Sequence, residues 1–150
     1  MAHTFANIAL HVLFSTKDRR RSITPDLKPD LHAYMGGILR NLKVRTVTLN
    51  GVEDHVHFLA IIPPVLSVSH MLEVLKSNST GWVRRKGGAF LAFEWQVGYT
   101  AFSVSQSNIP VVRKYIENQE QHHRKTTFKE ELIAFLKKHN VDYDERFVVG

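Results

Sequence analysis

Residues 44–64, VRTVTLNGVEDHVHFLAIIPP, carry alternating side chains on both sides of Asn50-Gly51 and end at Pro63-Pro64. Alternation with a period of two marks a strand with unlike faces, and Asn-Gly between two such runs is a strong hairpin signal. An antiparallel pair is therefore expected, with strands over 44–51 and about 53–62.

The flanking segments extend this pair into a layered fold. Residues 3–16 alternate Ile8, Leu10, Val12 and Phe14 as a first strand. After the basic turn KDRRRS, Thr24 caps a helix that Pro25 opens, and Leu27, Leu31, Met35, Ile38 and Leu42 line one side of it. Gly36 and Gly37 weaken that helix by roughly 1 kcal/mol each relative to Ala, which suggests close packing there. A second helix starts at Ser67 or Ser69, carries Met71, Leu72, Leu75, Ser79 and Trp82 on one face, and stops at Gly87-Gly88. Residues 97–105, VGYTAFSVS, read as a fourth strand. Asn108 caps a third helix running to about His123, and Thr127 with Glu130 forms a capping box for a last helix with Leu132, Ile133 and Leu136 on its apolar side.

The order is β-α-β-β-α-β followed by two helices. This is an α+β, ferredoxin-like and RRM-like antiparallel sheet with helices on one face, plus a helix bearing Tyr115 and a final helix. At 150 residues it is read as one domain over 1–150.

With no cysteine in the sequence, disulfides, thiolate metal sites and thiol nucleophiles are excluded. The short apolar stretch near the N-terminus precedes its basic cluster, the reverse of a signal peptide, and no segment is long enough to cross a membrane. The expected location is the cytoplasm, in association with the nucleoid during action. The 20 Lys+Arg against 14 Asp+Glu give a net charge of +6, which favours polyanions. The charge gathers in KDRRR (17–21), RRK (84–86) and around Arg113, Lys114, Arg124 and Lys125.

Along the third strand Val56, Phe58, Ala60 and Ile62 point to the first two helices, and His55, His57, Leu59 and Ile61 point to the other face. Two histidines at i and i+2 on one strand can converge on one ion. In the third helix Val112, Tyr115, Ile116 and Gln119 fall on one face, so a phenol and an amide stand where an inward apolar stripe would run. Taken alone, Tyr115 reads as a core tyrosine and Gln119 as a helix-surface amide. His11 reads as a hydrogen-bonded core histidine, and Asp54 as a turn residue or a partner of the neighbouring imidazole.

HVLFSTKDRR (11–20), DHVHFLAIIPP (54–64) and YIENQ (115–119), in that order and spacing, resemble the single-tyrosine HUH transposases of small bacterial insertion sequences and their repeat-associated relatives. The likeness covers nearly the whole chain, with His55-Val56-His57 as the histidine–hydrophobic–histidine motif. It implies an enzyme that cuts and rejoins single-stranded DNA at hairpin-marked sites through a covalent 5′-phosphotyrosine, with Tyr115 as nucleophile. It also implies a divalent ion held by His55, His57 and Gln119, either Mg²⁺ or Mn²⁺, with no organic cofactor.

DNA phosphates would be met by Lys17, Arg19, Arg20, Lys76, Arg84, Arg85 and Arg113, and Trp82, Trp95 and Phe102 are candidates for base stacking, with core packing preferred for Trp82. The resemblance further implies a homodimer in which the tyrosine helix of one subunit can complete the site of the other. The connection Ser105–Asn108 lacks the glycine relatives often carry there, and Glu53 stands where a proline is common. A non-catalytic single-strand-binding protein on the same fold is the main alternative, and a hydrolytic phosphoesterase a third. The intact His, Tyr and Gln set argues against the first, and the Tyr-Gln helix has no role in the second.

Overall fold

The computed structural model describes residues 3–148. Four strands, β1 (Ile8–Ser15), β2 (Arg45–Val52), β3 (His55–Ile62) and β4 (Thr100–Ser103), pair antiparallel in the order β2-β3-β1-β4. β1 and β3 lie in the middle, with Leu13 opposite His57 and Ser15 opposite His55. This is the sheet expected from the alternating runs, and its two faces carry different layers.

On one face Val12, Phe14, Val56, Phe58 and Ala60 pack against α1 (Leu27–Asn41) and α2 (Val68–Arg84), through Leu31, Met35, Leu39, Met71, Leu72 and Leu75. Each such fully buried side chain contributes on the order of 1.5–3 kcal/mol relative to an exposed one. Ser67 caps α2 by accepting from the His70 amide at 3.1 Å, and Thr24 accepts from the Leu27 amide at 3.2 Å ahead of α1. The opposite face holds a smaller apolar cluster in which Leu13 and Phe102 meet Phe128, Leu132 and Leu136. These last three lie on α5 (Phe128–Lys138), which begins at the expected Thr127–Glu130 capping box. Beside it α3 (Ile109–Glu117) and α4 (Gln119–His122) cover β2 and β3.

The structure revises several boundaries. β1 starts at Ile8, because β3 ends at Ile62 and offers no partner beyond that pair. β4 is confined to Thr100–Ser103, preceded by Gly98 with φ of +88°, outside the extended region. The third helix is not continuous to His123: Asn118, with φ −98° and ψ 21°, separates α3 from α4. Asn50-Gly51 is not the hairpin turn; both lie in β2, opposite His57 and Val56, and the two-residue turn is Glu53-Asp54. Gly51 is required by crowding, since an added Cβ would collide with the His55 carbonyl oxygen. At Gly36 and Gly37, by contrast, an added Cβ would meet nothing within 4 Å, so close packing does not account for them. Among the described residues no helix is long and apolar enough to cross a membrane.

Candidate active site

The Glu53-Asp54 turn starts β3 at His55 and is pinned from both sides, by the Thr16 amide on the Asp54 carbonyl at 2.8 Å and the Ile23 amide on the Glu53 carbonyl at 3.0 Å. His55 and His57 then point to the face covered by α3, α4 and α5, and both are wholly buried. The tyrosine helix is positioned by Asn50, whose amide donates to the Ile116 and Glu117 carbonyls at the end of α3. This arrangement brings Ile116 and Gln119 inward and leaves Tyr115 half-buried.

A single carboxylate, Glu131 in the first turn of α5, joins these elements. Its Oε1 accepts from His57 Nε2 at 2.9 Å and from His123 Nε2 at 3.0 Å, and lies 3.5 Å from His55 Nε2. Its Oε2 accepts from the Gln119 amide at 3.2 Å and from the Tyr115 hydroxyl. The Tyr115 oxygen also lies 3.0 Å from His122 Nε2, which can donate to it. His55, His57, His123 and Glu131 thus bring their ligand atoms within 4.8 Å of one another, a group that can hold a metal ion.

Outer contacts set which nitrogen of each imidazole faces this centre. Asp54 Oδ1 takes the hydrogen of His55 Nδ1 at 2.6 Å, and His57 Nδ1 shares a hydrogen bond with His11 Nε2 at 2.8 Å. Because the Gln119 amide nitrogen donates to Glu131, its oxygen is the atom facing His55 Nε2, at 3.1 Å. With the Nδ1 hydrogen given to Asp54, two acceptors face each other there. A cation, whether proton or metal, satisfies them both. The donor set therefore fits a divalent ion.

The electrostatics follow from burial and from Glu131. Burial opposes the Glu131 charge, but hydrogen bonds from His123 and His57 hold its carboxyl far below the usual carboxylate range. Burial alone would lower His123, and the bond to Glu131 with its negative charge turns the shift upward. His57 is pushed down by burial, and His11 down to about 3 by burial and the neighbouring His57. The Tyr115 phenol is raised well above its ordinary value, first by burial and then by the Glu131 charge, so it keeps its proton at rest.

Two clefts reach the tyrosine. One, of about 310 Å³, runs between α3 and α5 and is lined by Val111, Val112, Tyr115, Phe135 and Glu131. The other, of about 770 Å³, carries Lys114, Arg124 and Lys125 around Tyr115.

Of the residues expected from sequence, His55, His57, Gln119 and Tyr115 converge. The basic set divides. Lys76 Nζ donates to the Gln96 carbonyl at 2.7 Å and to that of Gly98, tying α2 to the segment before β4, and burial lowers its pKa to about 8. Arg84 donates to the Phe93 carbonyl at 2.9 Å and, with Lys17, pairs with Glu94. Arg113 pairs with Glu117 along α3 at 2.9 Å, while Arg20 and Arg85 are exposed and Arg19 is half-buried. Trp95 and Phe102 are core residues, and Trp82 stacks on Tyr34 at 4.9 Å.

Sequence reasoning missed His123 and Glu131. The signal for Glu131 was a carboxylate on the inward stripe of Phe128, Leu132 and Leu136. For His123 it was only the His-His pair at the end of the Tyr-Gln segment.

Comparison with known proteins identifies the family. The family model described as "Transposase IS200 like" matches residues 4–119. The transposase for insertion sequence element IS200 of Salmonella typhimurium is 31% identical over 129 residues, covering 79% of this chain and 81% of the relative, and that of Salmonella typhi matches equally. Among solved structures, a candidate transposase from Deinococcus radiodurans R1 superposes with a TM-score of 0.64 at 21% identity, covering 79% of this chain and 95% of the other. A REP-associated tyrosine transposase bound to a REP hairpin superposes with a TM-score of 0.62 at 13% identity, covering 82% and 73%. The match over most of the chain settles the matter of family: the protein belongs to the IS200-like transposases, the enzymes of DNA transposition that these relatives exemplify.

Proposed function

We propose that this transposase cleaves and rejoins single-stranded DNA at hairpin-marked sites through a covalent 5′-phosphotyrosine on Tyr115. The observation that carries the reading is the placement of the Tyr115 hydroxyl in one hydrogen-bonded network with His57 and Gln119 of its own chain, through Glu131, whose Oε1 also lies 3.5 Å from His55 Nε2. The Tyr115 oxygen forms a bond to the scissile phosphorus as the phosphorus–3′-oxygen bond breaks. The phenolic proton is lost to solvent and the leaving 3′-oxygen takes one up, so the released strand ends in a 3′-hydroxyl. The ester energy stays in the phosphotyrosine, so a 3′-hydroxyl can reverse the step without ATP.

His55, His57 and Gln119 would hold a divalent ion, Mg²⁺ or Mn²⁺, which when bound supplies charge withdrawal at the non-bridging phosphate oxygens. The chain's own part is to orient. Asp54 and His11 fix the two imidazoles, and Asn50 fixes the helix that aims Tyr115. Lys114, Arg124 and Lys125 line the larger cleft at the tyrosine and offer a path for a phosphate backbone, with Arg19, Arg20 and Arg85 as further contacts. The REP hairpin held by the superposed transposase supports a hairpin as the recognised form. We further propose a homodimer, as the sequence resemblance implies.

The test is chemical. After reaction with a hairpin oligonucleotide, peptide mass spectrometry should find the nucleotide on Tyr115, and the released strand should carry an extendable 3′-hydroxyl. Nucleotide on another residue, or a released 3′-phosphate, would contradict the reading.

A further inference from the structure

We propose, resting on the metal site of the preceding section, that His123 and Glu131 are direct ligands of its ion. The protein then offers three imidazoles and a carboxylate beside the Gln119 amide, and the site selects Mn²⁺, Co²⁺ or Zn²⁺ over Mg²⁺.

Geometry carries this assignment. Donors bonded to one ion at about 2.1 Å lie roughly 3.0 Å apart across a right angle and roughly 3.4 Å apart in a tetrahedron. Glu131 Oε1 lies 2.9, 3.0 and 3.5 Å from Nε2 of His57, His123 and His55. These Glu131–imidazole separations match those of ligands on one ion, and the ligand atoms of the whole group lie within 4.8 Å of one another, whereas Gln119 reaches one imidazole, that of His55. The side chains are also held for the task. The capping box sets Glu131 in the first turn of α5, Phe128 packs on His55 with ring centres 4.6 Å apart, and the His123 ring meets His55 at 4.2 Å.

The two oxygens of Glu131 divide their work. Oε1 faces the imidazole nitrogens, and Oε2 holds the Tyr115 hydroxyl and the Gln119 amide. Binding of the ion by Oε1 leaves Oε2 to keep the nucleophile beside it. The five donors leave one place of a six-coordinate ion for the substrate. Selectivity follows from donor type: imidazole nitrogen suits Mn²⁺, Co²⁺ and Zn²⁺, while Mg²⁺ prefers oxygen ligands and retains its water.

Two measurements on the full chain test the proposal. In titrations with Co²⁺ and Mn²⁺ followed by visible absorption and calorimetry, Glu131→Gln and His123→Ala should each weaken binding by more than about 100-fold, with an altered Co²⁺ spectrum. Mg²⁺ should bind the wild type at least about 100-fold more weakly than Mn²⁺. X-ray absorption of the Zn²⁺-loaded wild type, which does not depend on any variant folding, should count three imidazoles. Two imidazoles, or folded variants with unchanged Co²⁺ affinity and spectrum, would overturn the assignment of His123 and Glu131 and leave the His55–His57 site standing. A wild type that binds none of these ions would remove the metal site itself, and this proposal with it.

Discussion

The side-chain amide of Asn50, in the strand next to the histidine strand, donates to the carbonyls of Ile116 and Glu117 at 3.0 and 3.1 Å. One residue of the sheet thereby holds the end of the helix that carries Tyr115, and replaces hydrogen bonds that a terminating helix lacks. Asn50→Ala should cost about 1 kcal/mol of stability and lower DNA cleavage by more than it lowers DNA binding, because the tyrosine is less well aimed. Thermal unfolding and single-turnover cleavage measure the two effects. Cleavage at the wild-type rate would mean that the helix end is held by its other contacts.

Asp54 acts through His55. Its carboxylate takes the Nδ1 hydrogen at 2.6 Å and directs Nε2 to the site. Asp54→Asn should weaken Mn²⁺ binding by roughly 10–100-fold while the fold persists. Calorimetric titration gives the answer, and an unchanged affinity would make Asp54 a turn residue alone.

The basic residues should separate by experiment as they do in space. Lys76 is occupied by the Gln96 and Gly98 carbonyls, so Lys76→Met should lower stability by roughly 1–2 kcal/mol and leave the salt dependence of DNA binding nearly unchanged. Arg20→Ala and Arg85→Ala, at exposed positions, should each reduce the slope of log affinity against log salt by about 1 if they meet phosphates. A reduced slope for Lys76→Met and none for the arginines would reverse the assignment.

His32 supplies a pH dependence away from the site. Its Nε2 is buried without a hydrogen-bond partner, and burial, helped by the nearby Lys28 charge, lowers its pKa to about 4 from 6.5. Between these values the unfolded chain takes up a proton that the folded chain does not. Stability therefore falls as pH drops from 6.5 towards 4, with a His32 share on the order of 2 kcal/mol. Urea unfolding at several pH values should show a shallower acid loss in His32→Leu than in the wild type, and parallel curves would dismiss this source.

Much of the fold was legible because it is written in local periodicity. The alternation of 54–62 placed His55 and His57 on one face without any knowledge of what covers it. The turn was misread because Asn50-Gly51 is a turn signal only when its backbone is free to form one. Here Gly51 is crowded by His55 and Asn50 is drawn to α3, both long-range effects. The same limit hid Glu131: one carboxylate in an apolar stripe becomes informative only when the fold sets it against four imidazoles and a phenol. Lys76 and Arg84 joined the DNA-binding set by charge alone, which does not reveal that nearby carbonyls already occupy them.

The central claim is the covalent role of Tyr115. The most direct measurement incubates the wild type and Tyr115→Phe with a labelled pool of single-stranded hairpin oligonucleotides, with and without Mn²⁺, and separates the products under denaturing conditions. The account predicts a denaturant-resistant protein–DNA adduct that requires both Mn²⁺ and the Tyr115 hydroxyl, while Tyr115→Phe still binds the DNA. An adduct that persists in Tyr115→Phe, or cleavage of the pool by the wild type with no adduct at any time, would contradict it.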